Sequence, residues 1–149
     1  MRTLVLMRHG EAESDAVDHE RALTARGRQQ CVAAAEALAA AGFRPDAVLC
    51  SSAERAHRSA GLAAEALGFA GSPEVREALY LAAPHTYVGA LRQLPDTVRS
   101  VLLVAHNPGL SVLASGLRRA HVALPTGGHA RFEVDLDSWA DLGRLLSRR

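Results

Sequence analysis

The sequence predicts an α/β fold, a three-layer sandwich with a mainly parallel central sheet flanked by helices. Three observations predict it. Short, continuously apolar runs at residues 4–7, 48–50 and 101–105 suit strands buried on both faces. The stretches between them are longer and carry apolar residues at helical spacing. Strands alternating with helices are the order that builds a parallel sheet. The 149 residues are enough to close one hydrophobic core, so a single domain over residues 1–149 is expected.

Each element has its own local reason. The first strand, Leu4 to Met7, leads into a polar loop over residues 8–21 that is too hydrophilic for a core. Thr24 is placed to cap a helix running to about residue 41, with Gly27, Cys31, Ala34, Leu38 and Ala41 on one stripe and Gly42 as its stop. Residues 48–50 form the second strand. Ser52 is expected to cap a helix from residue 53 to about 67, with Ala56, Ala60, Ala63 and Leu67 inward, and residues 68–73 break it. Pro84 begins a shorter helix that Pro95 closes. After the third strand, Asn107 at the cap and Pro108 at the first helical position open another helix. The Pro125-Thr126-Gly127-Gly128 turn precedes a half-exposed strand, in which Ala130, Phe132, Val134 and Leu136 alternate with Arg131, Glu133 and Asp135. Trp139 is expected to anchor the tail by packing.

Composition narrows the function. Apolar residues make up 48% of the chain and aromatics only 4%, so Ala, Leu and Val must fill the core. The net charge of +1 gives no global field toward nucleic acid or a membrane, and neither is expected as a partner. Any anion chemistry has to come from a local cluster of cations. Cys31 and Cys50 follow no disulfide or zinc pattern and read as small buried hydrophobes. The apolar start is ended by Arg8 and His9 too early for a signal peptide, and no run approaches a membrane span. A reduced, cytoplasmic protein is the expectation.

Ligands of open α/β sheets bind beyond the carboxyl ends of the strands. Here the three buried strands end in Arg8-His9-Gly10-Glu11, Ser51-Ser52-Ala53-Glu54-Arg55 and His106-Asn107-Pro108-Gly109. Two histidines and two arginines therefore gather at one rim. Arg55 falls in a helix's first turn, where the dipole disfavours a cation by about 0.3–1 kcal/mol unless an anion sits in front of it. The free N–H groups of that turn and the guanidinium would hold a phosphate together. Alone, each of these residues has an ordinary structural role. Grouped in a nearly neutral protein, they make sense around a dianion.

Those residues carry a resemblance. The segment Leu6-Met7-Arg8-His9-Gly10-Glu11 resembles the Arg-His-Gly signature of the histidine phosphatase superfamily, also called phosphoglycerate mutase-like. Residues 18–27, Asp-His-Glu-Arg-Ala-Leu-Thr-Ala-Arg-Gly, are similar to the second segment of its small SixA-type branch. Residues 51–56 resemble the third segment, with Ser52 where the family has Pro and Ser59 where it has Thr. Residues 104–110 resemble the later histidine segment, with Ala105 for a common Gly. The resemblance implies a phosphoglycerate mutase-like fold and a phosphatase acting without metal or other cofactor. In it His9 is the nucleophile and Arg8, Arg55 and His106 clamp the phosphoryl oxygens. Arg21 is implied as a further phosphate or substrate contact. The SixA-type segment implies phosphohistidine in proteins as substrate, with a small phosphorylated molecule such as a sugar phosphate as the alternative.

The family's larger members take a general acid from between the second arginine and the later histidine. Glu77 is the nominee there, with Glu74 close by. The chain leaves little room for the lid-like insertion of the mutases. Two other classes compete. Seven histidines invite a metallohydrolase, but no His-Glu-x-x-His or paired Cys/His spacing supports it. A non-catalytic phosphate-binding module is disfavoured because the nucleophile and every clamp residue are present. His57, His85, His121 and His129 fit no catalytic motif and are expected to be surface or structural.

Overall fold

The computed structural model describes residues 1–15 and 17–147. Five strands form one sheet in the order β3-β2-β4-β1-β5: β1 (Arg2–Arg8), β2 (Ala47–Ser51), β3 (Glu74–Arg76), β4 (Ser100–Ala105) and β5 (His129–Val134). All neighbours are parallel except β5, which runs antiparallel to β1. The helices are α1 (Ala25–Ala40), α2 (Glu54–Ala66), α3 (Pro84–Arg92), α4 (Gly109–Arg118) and α5 (Gly143–Ser147).

The alternation of strand residues divides the core into two layers. Val5, Met7, Val48, Cys50, Leu102 and Val104 face the layer beneath α1 and α2, where Cys31, Ala35, Ala60 and Ala63 meet them. Leu4, Leu6, Leu49, Val101 and Leu103 face the other layer, with Tyr87, Leu91, Leu110, Leu113 and Trp139. In the first layer α1 and α2 present mostly alanines to the sheet. The second takes the bulky residues, and Trp139 anchors the tail there, its Nε1 donating to the Val98 carbonyl at 2.7 Å. Both cysteines are free and buried. Burial pushes the Cys50 thiol up to about 12 and Cys31 in the same direction, so both stay protonated.

Several local expectations need correction. The Thr24 hydroxyl does cap α1, accepting from the Gly27 N–H at 2.9 Å, but Ala41 lies exposed beyond the helix end. Ser52 does not cap α2. The cap position is Ala53, the Ser51 hydroxyl accepts the Ala53 N–H at 3.2 Å, and Ser52 bonds the His19 ring instead. Helix α4 starts at Gly109, one residue beyond Pro108, which occupies the cap. Asn107 still contributes, its Oδ1 accepting from the Ser111 N–H at 3.1 Å. The edge strand β3 had no sequence signal, being three residues long and largely exposed. At the other edge, Arg118 donates to the Arg131 carbonyl at 3.2 Å and lies over Phe132, which blunts the open side of β5.

Candidate active site

The carboxyl ends of β1, β2 and β4 open onto one cavity of about 350 Å³, walled by Arg8, His9, Asp18, Arg21, Arg55 and His106. Five of these six, all but Asp18, are residues expected at the site from the sequence. The loop leaving β1 is fixed before any side chain acts. The His9 N–H donates to the Ala105 carbonyl at 3.1 Å, and the Gly127 N–H reaches the Arg8 and His9 carbonyls at 3.1 and 2.8 Å. Gly10 has to be glycine, because a Cβ there would lie 2.4 Å from the Gly27 carbonyl oxygen at the start of α1. Its N–H donates to the Ser59 hydroxyl at 3.0 Å, which in turn donates to the Arg55 carbonyl at 2.6 Å. One serine thus ties the His9 loop to α2.

His9 is 7% exposed, and its Nδ1 lies 2.8 Å from the Gly10 carbonyl oxygen. A carbonyl only accepts, so the proton sits on Nδ1 and the lone pair on Nε2. That lone pair meets the Arg55 Nε–H at 3.4 Å. Burial, with the Arg55, Arg8 and Arg21 cations, lowers the His9 pKa to about 4 against an opposing contribution from the Gly10 bond. His9 is therefore a neutral imidazole at neutral pH.

The buried Arg55 guanidinium uses two edges. Its end edge is seated on Asp18, with Nη1 donating to the backbone carbonyl at 2.8 Å and Nη2 to the carboxylate at 3.0 Å. Its side edge faces the histidines, with Nε toward His9 and Nη2 3.5 Å from the His106 Nδ1. Since Arg55 only donates, His106 accepts at Nδ1 and carries its proton on Nε2, which bonds the Ser51 hydroxyl at 2.7 Å. His106 is 1% exposed, and burial, followed by His9 and Arg55, lowers its pKa to about 3. Arg8 donates from Nη1 to the Leu124 carbonyl at 3.2 Å, while its buried Nε has no partner among the described residues. Burial and Arg55 lower the Arg8 pKa. This is a site with cationic donors to spare, which an oxyanion can satisfy.

Asp18 was missed as a site residue. The Tyr80 hydroxyl donates to its carboxylate, Arg21 pairs with it at 3.1 Å and Arg55 at 3.0 Å, and these hold it ionised, well below the usual carboxylate range. It opens the segment of residues 18–27 that resembles the SixA-type branch, but within that segment only Arg21 was read as a contact. Arg21 reaches the cavity wall and also donates to the Glu13 carbonyl at 2.8 Å. Glu77 does not reach the cavity. Parallel pairing of residues 74–76 with β2 carries the chain past the rim, so Glu77 opens an exposed turn while Glu74 pairs with Arg76. Glu11 and Asp18 are the carboxylates on the wall. His57, His85 and His121 are exposed and His129 is half-buried. Among the described residues no three His, Cys, Asp or Glu side chains are grouped as metal ligands, and no helix is long and apolar enough to cross a membrane.

Residues 4–80 match the model of the histidine phosphatase superfamily, branch 1. Two Mycobacterium tuberculosis proteins, from strains H37Rv and CDC 1551 and both named as uncharacterized, are 34% identical over 149 residues, spanning 91% of this chain and 91% of theirs. A candidate phosphohistidine phosphatase SixA from Nakamurella multipartitia superposes with a TM-score of 0.77 at 27% identity, covering 96% of this chain and 90% of that one. A candidate SixA from Agrobacterium tumefaciens gives 0.79 at 26%, covering 87% and 90%. On its sequence match, its fold and the rim on which its arginines and histidines converge, the chain belongs to the histidine phosphatase superfamily, branch 1.

Proposed function

We propose that this chain is a phosphatase acting on phosphohistidine in proteins, and that it moves the phosphoryl group onto His9 and then onto water without a metal. One observation carries the reading: the Nδ1–H···O=C bond to Gly10 presents an unprotonated Nε2 to the cavity, beside the Arg55 guanidinium. Nε2 attacks phosphorus in line as the bond to the leaving group breaks. Arg8, Arg55 and Arg21 donate to the phosphoryl oxygens where charge concentrates in the transition state, and His106, whose Nδ1 carries no proton in the free site, joins them as the imidazolium once the dianion is bound. The Gly10 carbonyl stabilises the positive charge that His9 acquires. Water then attacks phosphorus, and His9 leaves as the neutral ring.

The substrate follows from the proton supply. An alkoxide leaving group needs a donor, and Asp18 is held ionised by Tyr80, Arg21 and Arg55. A phosphohistidine ring already protonated on its other nitrogen leaves as neutral imidazole with no donor. The names of the Nakamurella and Agrobacterium structures support the same substrate class. A second reading, a phosphatase of small phosphomonoesters, is favoured by Glu11, a carboxylate on the cavity wall whose side chain is 39% exposed. In that case a sugar phosphate is the better substrate and Glu11→Gln abolishes its turnover.

The test of the mechanism is acid-labile, base-stable phosphate trapped on His9 by quenching during turnover, with activity retained in chelator. His9→Ala should lose at least about a thousandfold in kcat. Label on Ser51 or Ser52, or activity restored only by an added metal, refutes the mechanism.

A further inference from the structure

Leu81 stands on the cavity wall and is 55% exposed. Its φ of +48° lies in the left-handed region that glycine and asparagine occupy readily and leucine does not. The turn itself is required. The Ala82 carbonyl lies against the start of α4, 2.2 Å from where a Cβ on Gly109 would be. The leucine is not required, because glycine would make the same turn without strain, and this side chain adds nothing to either core layer. A strained residue holding an apolar side chain out at a reaction site points to a ligand.

The surroundings extend that apolar surface. Preceding Leu81, the Tyr80 ring stands edge-on to His19 at 4.8 Å. Thr126 lines both the catalytic cavity and a shallow cleft of about 590 Å³ between α1 and residues 122–129, in which Ala33, Ala37, Ala123 and Pro125 are exposed. The phosphoryl group itself is held by the cationic side chains of the cavity and makes no use of this apolar margin. A histidine on a folded protein places its reactive nitrogen only one side-chain length from the backbone, so the carrier's surface must come down onto the mouth.

We propose that Leu81 is the docking anchor for the protein that carries the phosphohistidine, taking an apolar flank of that carrier beside the modified residue. The proposal rests on the phosphohistidine reading. The experiment compares free phosphohistidine with a small folded protein phosphorylated by phosphoramidate on one surface histidine flanked by leucines. Leu81→Gly should raise KM for the protein at least about tenfold more than KM for the free amino acid, with kcat for the protein within about threefold of wild type. Leu81→Met, which keeps an apolar side chain, should restore the protein KM. The Tm of Leu81→Gly should not fall, since strain is relieved, and Leu81→Asn gives the same readout if the glycine variant folds poorly. Equal KM changes on both substrates, or none on the protein, overturn the anchor. If wild type hydrolyses neither phosphohistidine substrate but does hydrolyse sugar phosphates, the substrate reading has failed and the anchor falls with it.

Discussion

Arg2 and Arg55 are both buried arginines near an end of the parallel sheet, and their donors are spent in opposite ways. Arg2, at the start of β1, donates to the carbonyls of Leu136, Asp96, Val98 and Asp137 and lies over the Trp139 ring. It staples the β1 start, the loop before β4 and the tail. Arg55, beyond the opposite end of the sheet, binds Asp18 firmly with one edge and leaves the other facing two histidine nitrogens at 3.4 and 3.5 Å. Burial alone therefore does not separate a structural cation from one poised for a ligand. Well-made bonds to backbone carbonyls mark the first, and long contacts to neutral rings across a cavity mark the second.

The comparison breaks most easily at Arg55. Arg55→Ala should lower kcat/KM by about 10²–10³ while the fold stays intact, and Arg55→Lys should recover little, since an ammonium cannot serve two edges. Activity of Arg55→Ala within about tenfold of wild type would remove the distinction. Arg2→Met is the mirror experiment. It strands the Leu136, Asp96 and Asp137 carbonyls, while Val98 keeps its bond from Trp139, and should cost about 3–5 kcal/mol in urea unfolding, with kcat of the folded fraction unchanged. A loss of kcat without a loss of stability would mean that Arg2 acts on the site.

The smallest effect is a pH dependence. The His9 and His106 pKa values, about 4 and about 3, lie below the ordinary value of 6.5. The unfolded chain thus binds more protons through that interval, and stability, complete above about pH 6.5, is lost as pH falls toward 4 and then 3. Histidine ring NMR should show both residues neutral at pH 5. Vanadate should raise the His106 midpoint, because an oxyanion near Nδ1 favours the imidazolium, and an unmoved His106 would place the anion elsewhere.

Much of this was legible in the chain. Short apolar runs such as Leu4 to Met7 suit strands buried on both faces, and the alternation of strands with helices points to a mainly parallel sheet whose strand ends share a rim. Arg8, His9 and His106 were visible because they come directly after such a run, and Arg55 because it falls in the first turn of the helix that follows one. Asp18 and Tyr80 were not. They sit at single short turns too brief to show a period, and they meet through a hydrogen bond across 62 residues. Glu77 looked well placed on sequence distance alone, but an unsignalled three-residue strand sends it outward.

The division has a physical reason. Periodicity and burial are properties of neighbouring residues, so the sequence by itself determined the layers, the strand ends and the cations collected there. Which nitrogen of His9 is unprotonated, which edge of Arg55 stays open and which carboxylate reaches the cavity depend on hydrogen bonds between distant segments. Those bonds exist only once β1, β2 and β4 are side by side, and the tertiary structure alone decided them.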